Sequence, residues 1–242
     1  MKWKGKATAV DSYHQPEDPF ARMRPLFSQE AMARLASARV TLLGIGGVGG
    51  HCAEALARCG VGAFRLVDGD RVAVSNLNRQ AVALHSTLGQ WKAAVMRERI
   101  LDITPAARVE TVTEYYRPDA EWGVFDDPPD LVVDAIDQVT AKVALAARAQ
   151  ALTVPIISCM GAGNKRDPQS FEAADLYDTT VCPLCRAVRK LAREAGIERL
   201  RVVYSKEAPA STGMRVPASV AYVTASAGLL LAAEAVRMII EG

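Results

Sequence analysis

Residues 40–49 read V-T-L-L-G-I-G-G-V-G, an apolar run that passes into Gly44, Gly46, Gly47 and Gly49. Glycines at this spacing, between a strand and a helix, let backbone N–H groups approach a phosphate, and the helix N-terminus adds its own positive end. Asp68 follows Gly44 at about the distance at which such units place a carboxylate for ribose hydroxyls. Asp70 is a second carboxylate at the same mouth, suited to holding Mg2+ through water. Arg79 and Lys92 supply the positive charge that the β- and γ-phosphates of ATP need and that the compact pyrophosphate of a dinucleotide does not. Asn76, Asn78 and Gln80 add neutral hydrogen-bonding groups, and Asp137 follows a buried apolar run, where open α/β sheets hold their ligands. Each residue has a plainer reading: Lys92 as an exposed helix lysine, Asp137 as a helix cap. Their joint order favours ATP, with Mg2+, over NAD-dependent redox chemistry, which gives Arg79, Lys92 and Asp137 no role.

These side chains require a particular scaffold. Residues 1–19 are polar and carry little period, and read as a mobile arm. A helical pattern starts at Ser28 and leads to a strand near 39–43, the glycine turn, and a helix over 48–59 ended by Gly60. A second strand is expected over 63–67, a helix over 89–103, and strands over 109–112 and 131–135. A helix over 138–152 then leads to a strand at 155–159. This alternation predicts an α/β fold, a doubly wound, mostly parallel, Rossmann-like sheet with right-handed crossovers. The C-terminal third reads as a short strand (171–173), a basic helix (183–195), a strand (200–204), a crossover loop (205–219) and a closing helix. The expected organisation is one domain over 20–242, its nucleotide-binding half about 38–160 and its crossover half about 161–242.

The 242 residues are enough for a core that stands without staples. A net charge of +2 carries no signature of nucleic-acid binding by charge alone. The first residues, Met1-Lys2-Trp3-Lys4, contain no secretory apolar segment. The apolar stretch 220–240 is interrupted by Ser226, Gly228, Glu234 and Arg237, so it reads as a buried amphipathic helix and no membrane is expected. An odd set of five cysteines without framework spacing points to a reducing, cytoplasmic setting.

The combined pattern G-x-G-G-x-G, D-x-D, S-N-x-N-R-Q, a lysine after Gly89, and D-x-x-D resembles the ThiF/MoeB family, relatives of the ubiquitin-activating enzymes, from about Arg22 to the end. The resemblance implies an adenylating enzyme. A substrate carboxylate attacks the α-phosphate of Mg-ATP, pyrophosphate leaves, and an acyl-adenylate forms. It assigns Gly47, Asp68, Asn76, Arg79, Lys92 and Asp137 to the ATP site, with Asp137 near the metal. It also implies a homodimer in which an arginine of the partner's N-terminal segment, matching Arg22 or Arg24, enters each site.

Members that activate sulfur carriers commonly hold zinc on two C-x-x-C pairs and often carry a cysteine in the crossover loop. Here Cys182-Pro-Leu-Cys185 is a single pair, and 205–219 has no cysteine, so no structural zinc is expected. The second half carries S-C-M-G-A-G-N-K at 158–165, Asp167-Pro168, V-C-P-L at 181–184 and V-V-Y-S-K-E at 202–207. It resembles the branch that activates the threonyl carboxylate of a modified tRNA adenosine and closes a ring with net loss of water. Cys185 departs from that pattern, where a small residue is common. The resemblance implies tRNA as partner substrate, with sulfur-relay or tRNA-modification proteins as further partners. The alternative is adenylation of the C-terminal glycine of a ubiquitin-like sulfur carrier. Arg186, Arg189, Lys190, Arg193, Arg199 and Arg201 are the candidate phosphate contacts, with 186, 189/190 and 193 on one helix face.

Overall fold

The computed structural model describes residues 18–118, 123–125, 127–214 and 216–242. Most of the expected N-terminal arm therefore lies outside the described residues. Seven strands form one sheet in the order β3-β2-β1-β4-β5-β7-β6. They are β1 (Arg39–Leu43), β2 (Ala63–Val67), β3 (Arg108–Val112), β4 (Leu131–Asp134), β5 (Ile156–Cys159), β6 (Phe171–Asp175) and β7 (Arg201–Ser205). All neighbours pair parallel except β6, which runs antiparallel to β7 at one edge. The C-terminal third thus extends the same sheet, because β5 pairs with β7.

The central strands are short apolar runs because both faces are covered. β4 is buried at all of its residues. One face packs under α1 (Gln29–Ser37), α2 (Gly49–Arg58), α3 (Lys92–Ile103) and α6 (Ala221–Glu241). The other packs under α4 (Val139–Ala151) and α5 (Pro183–Glu194). Ser28 caps α1, its hydroxyl accepting the Ala31 N–H at 3.1 Å, which satisfies one of the donors a helix start leaves over. α6 is apolar enough to cross a membrane by composition, but Val223, Ala227, Leu231 and Ala235 are fully buried and it packs mainly along α2. It is a core helix, as its interrupted apolar pattern predicts.

The principal departure from the periodicity reading is the start of α3. Gly89 takes a φ of +80°, and its N–H donates to Val72 O at 2.9 Å. The chain at 89–91 therefore pairs back on 71–72, with Arg71 stacked 3.9 Å over the Trp91 ring. The helix begins only at Lys92. This late start puts Lys92 in the first turn, where its backbone N–H donates to Asp70 O at 3.0 Å. β6 is two residues longer than the expected 171–173 because it pairs with β7 along its whole length.

Candidate active site

The chain reverses direction across the sheet between β1 and β4, and the carboxyl ends of these strands open into a cleft of about 370 Å³. β1 feeds the glycine turn. Gly44 has φ +89°, and a Cβ there would lie 2.7 Å from Ala135 O, so only glycine lets the turn pass beside the end of β4. At Gly49 an added Cβ would meet Gly44 O at 1.8 Å, so the first turn of α2 rests directly on the loop.

β2 delivers Asp68, which is only 9% exposed. Its Oδ2 accepts the Ile45 N–H at 2.6 Å and its Oδ1 the Asp70 N–H at 2.8 Å. The carboxylate therefore joins the glycine turn to the loop after β2. Burial raises its pKa, against the pull of the Asp70 N–H and of the Lys92 charge.

Asp70 pairs with Lys92, Nζ to Oδ2 at 2.7 Å, and its Oδ1 accepts the Tyr115 hydroxyl. Burial alone would raise the Asp70 pKa; the Lys92 and Tyr115 hydrogen bonds and the lysine charge outweigh it and hold the carboxyl below its ordinary value. The sequence reading gives Asp70 a metal-holding role. In this structure it is the counter-ion of a lysine that is 5% exposed.

The loop between them is built around Asn76, buried, whose Oδ1 accepts the Ala73 N–H at 3.0 Å and closes a short 3-10 turn. Arg79 leans on Ser75 O at 2.7 Å and Asn78 Oδ1 at 2.9 Å, while His51 of α2 contacts Arg79 O at 3.2 Å. Asn78 Nδ2 donates to Ser219 O at 2.9 Å, tying this loop to the end of the crossover segment. Gln80 is buried with no hydrogen-bond partner for its Oε1 among the described residues. Asp137, exposed, sits across the cleft after β4.

The cleft thus brings together Gly44, Gly46, Gly47, Asp68, Asp70, Asn76, Arg79, Gln80, Lys92 and Asp137. Gly49 and Asn78 support its walls without lining it. Arg22 and Arg24 lie on the exposed segment before α1, with Arg24 paired to Asp18, and do not line the cleft of their own chain. Glu114, Tyr115, Tyr116, Ser219 and Thr224 line it as well. Sequence reasoning missed these five, although Tyr115 and Tyr116 follow the carboxyl end of β3, where this architecture places ligand contacts.

The fit to a nucleoside triphosphate rests on the donor set. An orphaned amide oxygen, a glycine cradle with nothing nearer than 3.9 Å to an added Cβ at Gly46, the two cations Arg79 and Lys92, and the carboxylates of Asp68, Asp70, Glu114 and Asp137 face one cavity. Asp137 carries no hydrogen bond or ion pair to a described residue, and among the described residues no three His, Cys, Asp or Glu side chains gather as a metal site. A lone carboxylate suits Mg2+ held mainly by phosphates.

No cysteine lines the cleft. Cys182 and Cys185 are buried in the α4–α5 layer, with the Cys185 thiol hydrogen-bonded to Cys182 at the start of α5. That bond, opposed by burial and helped by neighbouring backbone N–H groups, lowers the Cys182 pKa and raises that of its partner. Of the expected phosphate contacts, Arg189 is committed internally, donating to Thr179 O at 2.6 Å, Thr179 Oγ1 at 2.9 Å and Leu176 O at 3.2 Å. Arg193, though exposed, lies 5.4 Å from the Tyr177 ring centre, and Arg201 pairs with Glu234; Arg186, Lys190 and Arg199 are exposed as well.

Fold and cleft define a doubly wound α/β protein built to bind a nucleotide at its topological switch point. The chain belongs to the ThiF family, whose sequence model matches residues 20–242. It is 40% identical over 191 residues to the tRNA threonylcarbamoyladenosine dehydratase of Bacillus subtilis (strain 168), an overlap of 78% of this chain and 75% of that one. The crystal structure of E. coli tRNA N6-threonylcarbamoyladenosine dehydratase in complex with ATP superposes with a TM-score of 0.86 at 34% identity, covering 92% and 94% of the two chains. Similarity to the molybdopterin-synthase adenylyltransferase of Escherichia coli (strain K12) is more restricted, 34% over 132 residues, or 54% of this chain and 53% of that one.

Asp70→Asn separates the counter-ion role from the metal role. As a counter-ion, its loss leaves Mg-ATP affinity within about threefold by calorimetry, whereas a true metal contact loses about tenfold or more. The folded pKa of Asp70 is lowered, so its stabilising contribution is present above the ordinary value of 3.8 and fades as pH falls through the lowered one. The melting-temperature gap between parent and variant therefore closes in acid.

Proposed function

We propose that this protein uses ATP to activate the threonyl carboxylate of threonylcarbamoyladenosine in tRNA and to close it into a ring, with net loss of water. The carboxylate oxygen attacks the α-phosphorus and pyrophosphate leaves with the bonding electron pair. The amide nitrogen or oxygen of the modification then attacks the acyl carbon and AMP departs. Whichever atom attacks, the amide N–H proton is released: from the attacking nitrogen, or from the nitrogen that becomes C=N when oxygen attacks.

The observation that carries this reading is the cleft's inventory: cations and donors for a triphosphate, and no thiol. With AMP as leaving group the acyl carbon is already activated, so closure on an internal nucleophile needs no covalent enzyme intermediate. In this reading Lys92 moves from Asp70 to the phosphates, and Arg79 neutralises charge building on the departing pyrophosphate. Asp68 accepts from the ribose with its remaining lone pairs, and Gln80 Oε1 gains a partner. Asp137 is the residue that would hold Mg2+, which would supply charge to offset that of the phosphates. Arg22 of a second copy completes the site in a homodimer.

tRNA backbone contacts fall to Arg186, Lys190 and Arg199, exposed members of the basic segment that are not engaged by Tyr177 or Glu234. A cytoplasmic setting agrees with five free cysteines.

Incubation with threonylcarbamoyl-modified tRNA and Mg-ATP, followed by mass spectrometry of the nucleosides, is expected to yield a product lighter by one water only when ATP is present. ATP–pyrophosphate exchange stimulated by a ubiquitin-like protein and not by the tRNA would instead select sulfur-carrier adenylation. For the surface, Arg186→Glu with Lys190→Glu is expected to weaken tRNA binding at least about tenfold and to flatten its salt dependence. Unchanged affinity in filter binding rejects that face. Arg189→Glu is the wrong probe, because it breaks the turn at 176–179.

A further inference from the structure

Behind the cleft, a lysine and an aspartate are sealed from solvent. Lys142 on α4 and Asp134 at the end of β4 are both 0% exposed and form an ion pair at 2.9 Å. Lys142 Nζ also donates to Cys159 O at the end of β5, at 2.7 Å. Ser158 Oγ donates to Asp134 Oδ2 at 2.7 Å. The other oxygen, Oδ1, accepts the Ile136 N–H at 3.1 Å.

Stability is a weak reason for such a pair. Desolvating two charges costs several kcal/mol per ion, and apolar side chains of similar volume are often as stable or more so. The neighbours of Lys142 on α4, Ala141, Val143, Leu145 and Ala146, are buried and apolar, so the helix face would pack without it. What the pair does is geometric. Three hydrogen bonds converge on the Asp134 carboxylate, and one of them fixes the amide of Ile136. Ala135, Ile136 and Asp137 line the nucleotide cleft, and Ala135 O is the wall against which Gly44 rests. The bond to Cys159 O anchors the same lysine to the neighbouring strand.

We propose that Lys142, with Ser158, is a positioning residue that holds the Asp134 carboxylate in one orientation, and through it the 135–137 turn, so that Asp137 meets the metal-bearing phosphates of ATP. This rests on the metal-side reading of Asp137 and not on the identity of the acyl substrate.

The test measures binding by the full chain, without tRNA. Mg-ATP affinity is followed by calorimetry across a Mg2+ titration, and AMP affinity is measured without metal. Lys142→Met is expected to raise the Mg2+ concentration for half-maximal ATP binding about tenfold, in the range for residues that orient a metal ligand from behind, with AMP affinity moving less than about twofold. Ser158→Ala, which keeps the ion pair, is expected to shift the Mg2+ response about threefold in the same direction. It carries the test if Lys142→Met does not fold. Equal losses of AMP and Mg-ATP affinity, or an unchanged Mg2+ response in folded Ser158→Ala, overturn the proposal. Asp137→Asn is expected to abolish the Mg2+ response. If that response persists, the reading of Asp137 is wrong and the proposal falls with it, while the dehydration reading still stands on its own assay.

Discussion

The Asp68 carboxylate is the fastener of this molecule's cleft. It sits at the end of β2 with each oxygen committed to a backbone N–H on a different turn, one in the glycine loop and one at Asp70. Two turns that the chain makes separately therefore share one rigid frame. The Asp70 carboxylate is set by this frame, and it in turn receives Lys92 and Tyr115. Burial raises the pKa of this carboxyl, and its two backbone N–H donors oppose the rise. The same residue then has lone pairs left for a ribose.

Electrostatics explain how the cleft can hold unlike charges before a ligand arrives. Lys92 is nearly buried, and a buried ammonium without a partner is costly. Asp70 provides that partner while remaining half exposed on its own outer side. A triphosphate brings more negative charge than one carboxylate, which is why the proposed function has the lysine exchange from one to the other. Behind the same wall, Asp134 and Lys142 form a fully enclosed pair that does not face the ligand. One pair borders the cleft, the other is sealed from it.

The sheet was legible because its central strands are continuous apolar runs. Leu131, Val132 and Val133 can only be a covered strand, and Gly44 after Leu43 can only be a turn. The start of α3 was not, since Gly89-Gln90-Trp91 keep helical spacing while a positive φ at Gly89 folds them back on Arg71. Most site residues were readable from type and spacing. Their partners were not: Asp68 acts first on backbone donors, which leave no trace in sequence, and the pairing of Asp70 with Lys92 spans 22 positions. Arg189 shows the same limit. Periodicity gives its place on α5, but the carbonyls that capture it come from the turn at 176–179 before the helix.

Membership of the ThiF family and the likeness to ATP-bound tRNA N6-threonylcarbamoyladenosine dehydratase agree with a cleft made for a triphosphate. The most direct test of the central claim is the ATP affinity of Asp68→Asn, measured by calorimetry beside its unfolding free energy. The amide turns one acceptor into a donor that faces a backbone N–H. The account predicts a loss of about 1–3 kcal/mol in stability and at least about tenfold in ATP affinity. Binding within about twofold of the parent, in a folded variant, would contradict it.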